Sequence, residues 1–548
     1  MGKNTDDFNF IRSSFPGRPA YSRGGMVATG HPLASAAGVA VLARGGNAVD
    51  AALAVAGTTG VVMPDMSGLG GDAFLLYYDA AGRTVTAVNG SGIAPHEATV
   101  EAYQARGYND QMPLDGWLSV AVPGAVGVYL EAHRRWGSLP LAQLWERPIA
   151  YARGGFPMDP RLAASIAEDA DKLSAHPRTR EVYLQHGRRP HPGQMLRNEQ
   201  LARSLETVVA EGAEGFYRGG LARSIAAASE AEGGLFTPRE FAEYQPEVYK
   251  PLRVDYRGHT VYQTAPPSQG IILLEELNLL EGFDLTGKSL DSADVIHLLV
   301  EIKKLAFADR LAYLGDPRFV KAPTGELLSK DYAARRRRSL DLERAQNEAR
   351  AGELASDTTS FVVVDGAGNA VSFIHSNSSA WGSGVVAGDT GILLNNRAGR
   401  GFTLQEGHPN CLAPGKRTMH TLNTYLVTQG GGLELVGNTP GGDGQPQWNL
   451  QVLTGILDFG LDPYEAVAAP RWTSFPGTDP ATVRFPLELR LESRFPAETM
   501  DRLRAKGHRL TDLGPWGAGG SAQVIRRTEG GVLEGASDPR GGGLAIGV

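Results

Sequence analysis

Cysteine is almost missing: Cys411 is the only one in 548 residues. No intrachain disulfide can form, and zinc sites built on cysteine pairs are excluded. The twelve histidines show no ligand spacing, and a pair such as His186 and His191 lacks the geometry of a zinc motif. Neither a metal nor a cofactor is expected. No apolar run approaches the ~18 residues of a membrane span, and Met1 to Phe8 holds no apolar stretch of signal-peptide length. The expectation is a cytoplasmic protein with no membrane partner. An excess of basic charge is lacking too. With 53 basic against 60 acidic residues and a net charge of -7, there is no electrostatic footprint for nucleic acid. The cluster Arg335 to Arg338 reads as a solvated helix face. No Gly-x-Ser-x-Gly occurs, which disfavours a serine hydrolase of the elbow type.

What is present is an ordinary globular balance, with 42% hydrophobic and 21% charged residues, enough for a large core. The length leaves room for several domains at ~100 to 200 residues each, but no linker and no internal repeat divides the chain. The first part is helix-rich. Pro32 opens an alanine-rich helix that Gly45-Gly46 ends, and Asn47 can cap a small-residue helix through Val55. Pro64 to Asp72 is a glycine-dense turn with close backbone packing; its spacing fits neither a P-loop nor a dinucleotide fingerprint. Helical patterns fill Leu141 to Tyr244, and further helices are expected over Gly270 to Leu280 and Ala293 to Leu314. Past Thr358 the chain turns to short strands and glycine-rich turns. Helices outside strands imply packed layers, an α+β architecture.

The chain is organised around residues 357–374. Two β-branched and aromatic runs flank Asp365-Gly366-Ala367-Gly368-Asn369, the pattern of a β-hairpin. The segment before it, through Glu343, Arg344, Glu348, Arg350 and Glu353, is charged and apolar-poor, then stops at Thr358-Thr359. Such a junction resembles a processing site. Cutting the Asp357–Thr358 bond would leave Thr358 an α-amine, which ordinarily titrates near pH ~7.7 to 8.0, beside its own hydroxyl. One residue then holds nucleophile and base, the activation a threonine needs without a histidine partner. Two threonines opening a strand also suit plain β-propensity, so the neighbours decide.

Thr358-Thr359-x-x-x-Val363-Val364-Asp365-x-x-Gly368-Asn369 is followed by Ser376, Ser378, Gly382-Ser383-Gly384, Asn395-Asn396 and Pro440-Gly441-Gly442. Together with Gly45-Gly46-Asn47-Ala48-Val49-Asp50, Pro266-Pro267-Ser268-Gln269-Gly270 and Gly535-Ala536-Ser537-Asp538-Pro539-Arg540, this set resembles the γ-glutamyltransferase family of N-terminal nucleophile hydrolases. The likeness covers nearly the whole chain. It implies a four-layer αββα sandwich built jointly by a large segment, 1–357, and a small one, 358–548, held together as a heterodimer after self-cleavage, with further dimerisation open. It implies Thr358 as nucleophile, Gly441 and Gly442 as oxyanion hole, and Thr359 and Ser376 as hydroxyls near the nucleophile. The turn around Gly441 would equally suit an ordinary loop.

Recognition residues depart from the family. Its carboxylate-binding arginine aligns with Ser91, its paired serines with His420 and Thr421, and its asparagine beyond the nucleophile with Ser378. After Asn395-Asn396, where an acid holds the substrate ammonium, stand Arg397 and Arg400. Arginine prefers a carboxylate and repels an ammonium, so a small-molecule amide with a carboxylated acyl group fits better than glutathione. The loop His408-Pro409-Asn410 to Asn423 is similar to a divergent branch with glutaryl-cephalosporin acylases, oxamate amidohydrolase and C–C bond hydrolases. Arg397 and Arg400 could instead be ion-paired structural residues. A dinucleotide-binding protein is disfavoured because Gly388-Asp389-Thr390-Gly391 breaks the helix that Gly382-Ser383-Gly384 would have to open. A non-catalytic binding homologue remains the alternative of another class, opposed by the retention of Thr358, Gly441 and Gly442.

Overall fold

The computed structural model describes residues 17–346, 358–477 and 486–548. Asp357, Glu348, Arg350 and Glu353 lie outside the described residues. Two seven-stranded sheets form the centre. Edge to edge, the first runs Leu544–Gly547, Gly25–Thr29, Thr359–Asp365, Ala370–Ser376, Asp72–Asp79, Thr84–Gly90 and Glu247–Tyr249. The second runs Ala20–Ser22, Leu533–Ser537, Gln523–Arg527, Gly432–Asn438, Tyr425–Gln429, His259–Gln263 and Leu252–Tyr256. All pairings within both are antiparallel. Each sheet mixes strands from before and after Thr358, so neither part of the chain could close a core alone.

Strand alternation gives each sheet two apolar faces. Met26, Leu76, Val362 and Val364 meet Leu426, Val436 and Ile525 between the sheets. On the far side of the first sheet, Phe361, Val363 and Phe373 pack under the helices Pro32–Ala43 and Ala48–Val62. The second sheet is covered by Gly270–Leu280, Ala293–Tyr313 and Gly444–Leu457. The result is the expected αββα layering.

The hairpin forms as read, with Thr359 opposite His375 and Val364 opposite Ala370. Asp365 closes it: Oδ1 accepts from the Ala367 and Asn369 N–H groups, each at 3.0 Å. Its Oδ2 reaches the Ala48 N–H at 3.0 Å, adding a carboxylate to the positive end of the helix Ala48–Val62. Asn47 caps that helix in a reciprocal box with Asp50. The arginine run differs from its reading as a solvated face. Arg336 pairs with Asp309 at 3.2 Å and Arg337 Nη1 donates to Asn278 O at 2.9 Å, while Arg335 and Arg338 stay exposed. These contacts hold the short helix Lys330–Arg337 on the outer helix layer. Among the described residues no helix is long and apolar enough to cross a membrane.

Candidate active site

Thr358 sits at the head of the hairpin, fully buried. Extending the register by one residue places it opposite Ser376, which is itself opposite Asp72 in the next strand. Directly paired residues share a face. Thr358, Ser376 and Asp72 therefore form a row on the face turned toward the second sheet. Thr358 Oγ1 donates to Ser376 Oγ at 3.0 Å, and the Ser378 N–H donates to the same oxygen at 2.8 Å. Ser378 holds a φ of +91°, a left-handed backbone that a non-glycine residue adopts only when its surroundings enforce it. The glycine-dense turn before Asp72 makes room: a Cβ at Gly71 would come within 2.5 Å of Ser376 O.

Thr359 points the other way. Its Oγ1 donates to Met63 Sδ at 3.6 Å on the helix-covered face, so the hydroxyl expected near the nucleophile is not brought to Ser376. His375 shares that face, between Thr59 Oγ1 at 2.9 Å and the Tyr129 hydroxyl at 2.7 Å. Burial pushes its pKa down to about 3. This imidazole is neutral and turned away from Thr358, and it offers Thr358 no base.

The strand Gly432–Asn438, in the second sheet, runs into the two glycines, and its last residue ties it to the hairpin. Asn438 Nδ2 donates to Phe361 O and Phe373 O, both at 3.0 Å, stitching the strand end across both hairpin arms. Gly441 and Gly442 follow with φ of +119° and +53°, and a Cβ at Gly441 would run into the Trp448 ring. Gly441 O accepts from the Gly444 N–H at 2.9 Å and Gly442 O from Gln269 Nε2 at 2.9 Å. No hydrogen bond from either glycine N–H is found among the described residues. Two free backbone donors in one turn are what a developing oxyanion requires.

Beside this row lies a buried polar cluster. Asp72 Oδ1 accepts from the Gly92 N–H at 2.9 Å, and Oδ2 lies 3.3 Å from Arg397 Nε and 3.7 Å from His420 Nε2. Burial raises the Asp72 pKa to about 6 against the pull of Arg397, the Gly92 N–H and Arg417, and burial lowers Arg397 to about 10. His420 is held well below its usual pKa by burial and by the Arg397 and Arg417 charges. Its ring packs edge-on against Phe74, with centroids 5.0 Å apart. Arg397 Nη2, both ring nitrogens of His420 and the Thr421 hydroxyl are buried with no hydrogen-bond partner among the described residues. Polar atoms left so are costly unless a ligand or water satisfies them.

Ser91 is buried beside this cluster: its N–H donates to Asn89 Oδ1 at 2.8 Å, and its carbonyl accepts from Arg417 Nη1. Arg417 also donates to Gln245 O at 2.8 Å. A cation thus returns near the position where the expected arginine is replaced by serine. Arg400 Nη1 donates to Ser378 O at 3.0 Å. Asn396 is structural, bonding Leu114 O at 2.9 Å and Ser379 Oγ at 2.6 Å. Elsewhere, His297, Glu301 and His508 place ligating atoms within 4.8 Å of one another. Those atoms are already joined as His297 Nδ1 to His508 Nε2 at 2.8 Å and Glu301 to Lys304 at 2.7 Å.

Residues 34–548 match a family model described as Gamma-glutamyltranspeptidase. The chain belongs to this family. It is 38% identical to the "Glutathione hydrolase-like YwrD proenzyme" of Bacillus subtilis, covering 95% of this chain and 98% of that one. It is 35% identical to the "Oxamate amidohydrolase proenzyme" of Klebsiella pneumoniae, over 95% and 98% of the two chains. Its fold matches the crystal structure of cephalosporin acylase from Bacillus halodurans with a TM-score of 0.90, at 36% identity over 98% of each chain. Family and fold make it an enzyme of the N-terminal nucleophile hydrolase and transferase type.

Of the site residues expected from sequence, the fold gathers Thr358 with Ser376 and Ser378, and Arg397 with His420. Thr359 and Asn396 have structural partners instead. Asp72, beside Arg397 and His420, and Gln269, bonded to Thr421 O and Gly442 O, adjoin the gathered residues although the sequence reading gave neither a role. Asp72 ends a turn whose glycines signal only close packing, and Gln269 lies in a motif whose residue types name no chemistry.

Proposed function

We propose that this γ-glutamyltranspeptidase-family enzyme is self-processing and cleaves an amide through an acyl-enzyme on Thr358, preferring an acyl group that ends in a carboxylate and lacks an α-amine. The observation that carries the reading is Thr358 itself, buried at the strand head with its Oγ1 on Ser376. In maturation, Thr358 Oγ attacks the carbonyl of the Asp357–Thr358 bond, the C–N bond breaks to free the α-amine as the amide becomes an ester, and water then hydrolyses the ester to release the Asp357 carboxylate and restore the Thr358 hydroxyl. The products are 1–357 and 358–548, kept together as a heterodimer by the shared sheets. In turnover, the α-amine takes the Thr358 hydroxyl proton as Oγ bonds the substrate carbonyl carbon. The oxyanion is received by the Gly441 and Gly442 N–H groups. The C–N bond then breaks, the proton leaves with the amine, and water or an acceptor amine releases the acyl group.

Arg397 supports the acyl preference. Asp72 engages its Nε, while Nη2 is unpartnered and can receive a carboxylate oxygen. A substrate ammonium would have to displace a guanidinium from Asp72 to find a counter-charge. The names of the acylase and amidohydrolase relatives support an acyl group other than γ-glutamyl. The assay compares glutaryl-p-nitroanilide, γ-glutamyl-p-nitroanilide and oxamate on wild type and Arg397→Ala. Charge-assisted hydrogen bonds contribute about 1.5 to 3 kcal/mol, so the glutaryl compound should lead by roughly tenfold or more, and Arg397→Ala should erase the lead. A tenfold lead for the γ-glutamyl compound would return the site to ordinary glutathione hydrolysis.

A further inference from the structure

We propose that Gln269 is a positioning residue that locks the oxyanion turn to the acyl-recognition loop, braced by Arg310 and Asp443. This rests on the reading of Gly441 and Gly442 as oxyanion donors. Gln269 is fully buried at the N-terminus of the helix Gly270–Leu280. Both hydrogens of its amide are spent on carbonyls from two different loops: Nε2 donates to Gly442 O at 2.9 Å and to Thr421 O at 2.5 Å. Its backbone N–H donates to His420 O at 2.9 Å. Its Oε1 accepts from Arg310 Nη1, which also donates to Asp443 Oδ1. A guanidinium has only donors, so Arg310 dictates which end of the Gln269 amide faces the turn. Both brace residues are buried, and Gln447 Nε2 holds Asp443 O at 3.0 Å.

The turn needs such holding because two consecutive glycines leave its peptide planes free to rotate. Each plane around the donors is gripped by its carbonyl. Thr439 Oγ1 donates to Pro440 O at 3.1 Å, fixing the plane that carries the Gly441 N–H. The Gly444 N–H holds Gly441 O at 2.9 Å, fixing the plane that carries the Gly442 N–H. The Gln445 N–H at 3.1 Å and the Gln269 amide at 2.9 Å both hold the next carbonyl, Gly442 O, and so end the flexible stretch. Because the same amide holds Thr421, the substrate's acyl group and its reacting carbonyl are registered against one rigid group.

The test is Gln269→Met, which keeps the volume and loses the hydrogen bonds, measured on processed enzyme with kcat expressed per titrated active site. A donor removed from an oxyanion hole costs roughly 100- to 1000-fold in kcat; a donor left present but unregistered should cost about 10- to 100-fold, with KM changed less than threefold. The double variant with Gly442→Val should be no slower than Gly442→Val alone, because both act through one oxyanion contact and their effects do not multiply. Wild-type kcat in Gln269→Met, or losses that multiply in the double variant, would overturn the proposal. If Gln269→Met does not accumulate, Asp443→Asn replaces it and should lower kcat with KM held, while unchanged kcat there refutes the brace. An active Thr358→Ala would instead overturn the nucleophile assignment, so the two failures are distinguishable.

Discussion

In the proposed recognition pocket Asp72 sets the charge, since its carboxylate partners both Arg397 and the His420 side of the cluster. With its pKa raised to about 6 by burial, it is ionised above that pH and offsets the Arg397 guanidinium. Below it, the carboxyl is neutral and the guanidinium is uncompensated. A glutaryl carboxylate, with an ordinary pKa near ~4.3, stays charged down to pH ~5. KM for a glutaryl amide should therefore fall as pH drops from 7.5 to 5, with an apparent pKa near 6. Asp72→Asn should show the low-pH KM at every pH. A flat or inverted KM profile in wild type would remove Asp72 from recognition. At this scale Thr358, Gly441 and Gly442 were singled out by family resemblance rather than by local pattern, since two threonines opening a strand and a glycine turn each suit plain structure as well. Asp72 left no signature: its role comes from partners hundreds of residues away, Arg397 and His420, and from burial that no local pattern encodes.

Among the elements, the hairpin carries the site and Asp365 carries the hairpin. One carboxylate closes the turn onto Ala367 and Asn369 and caps the helix Ala48–Val62 through Ala48. Asp365→Ala would leave the buried Ala48 N–H and the turn's Ala367 and Asn369 N–H groups without their acceptor and remove a favourable charge from a helix N-terminus. The expected loss is about 2 to 4 kcal/mol of stability, read as a lowered denaturation midpoint; a change below about 0.5 kcal/mol, the range of ordinary surface substitutions, would refute this role. The hairpin and the Asn47-capped helix were legible in sequence because turn residues, caps and periodicity are local. The strand order was not. Gly25–Thr29 and Asp72–Asp79 flank the hairpin although they are hundreds of residues upstream, a choice made by whole-sheet packing. Thr359 shows the same limit in miniature. Alternation places it on the face opposite Thr358, where it meets Met63, while a reading by resemblance grouped the two threonines together.

Taken as a whole, the proposed cut at Thr358 would divide the chain but not its sheets. The first sheet takes Gly25–Thr29, Asp72–Asp79, Thr84–Gly90 and Glu247–Tyr249 from before Thr358, and its remaining strands from after it. A cut before Thr358 would therefore leave two chains sharing both sheets and the core between them, inseparable without denaturation. The layered architecture was legible from the change of texture along the chain, and its four-layer form from family resemblance. Mass spectrometry of the purified protein under denaturing conditions, with N-terminal sequencing, tests the central claim most directly. Wild type should give two chains, one beginning at Thr358, that co-purify before denaturation, while Thr358→Ala should give one intact, inactive chain of 58.3 kDa. A fully active preparation containing only the intact chain would contradict the account.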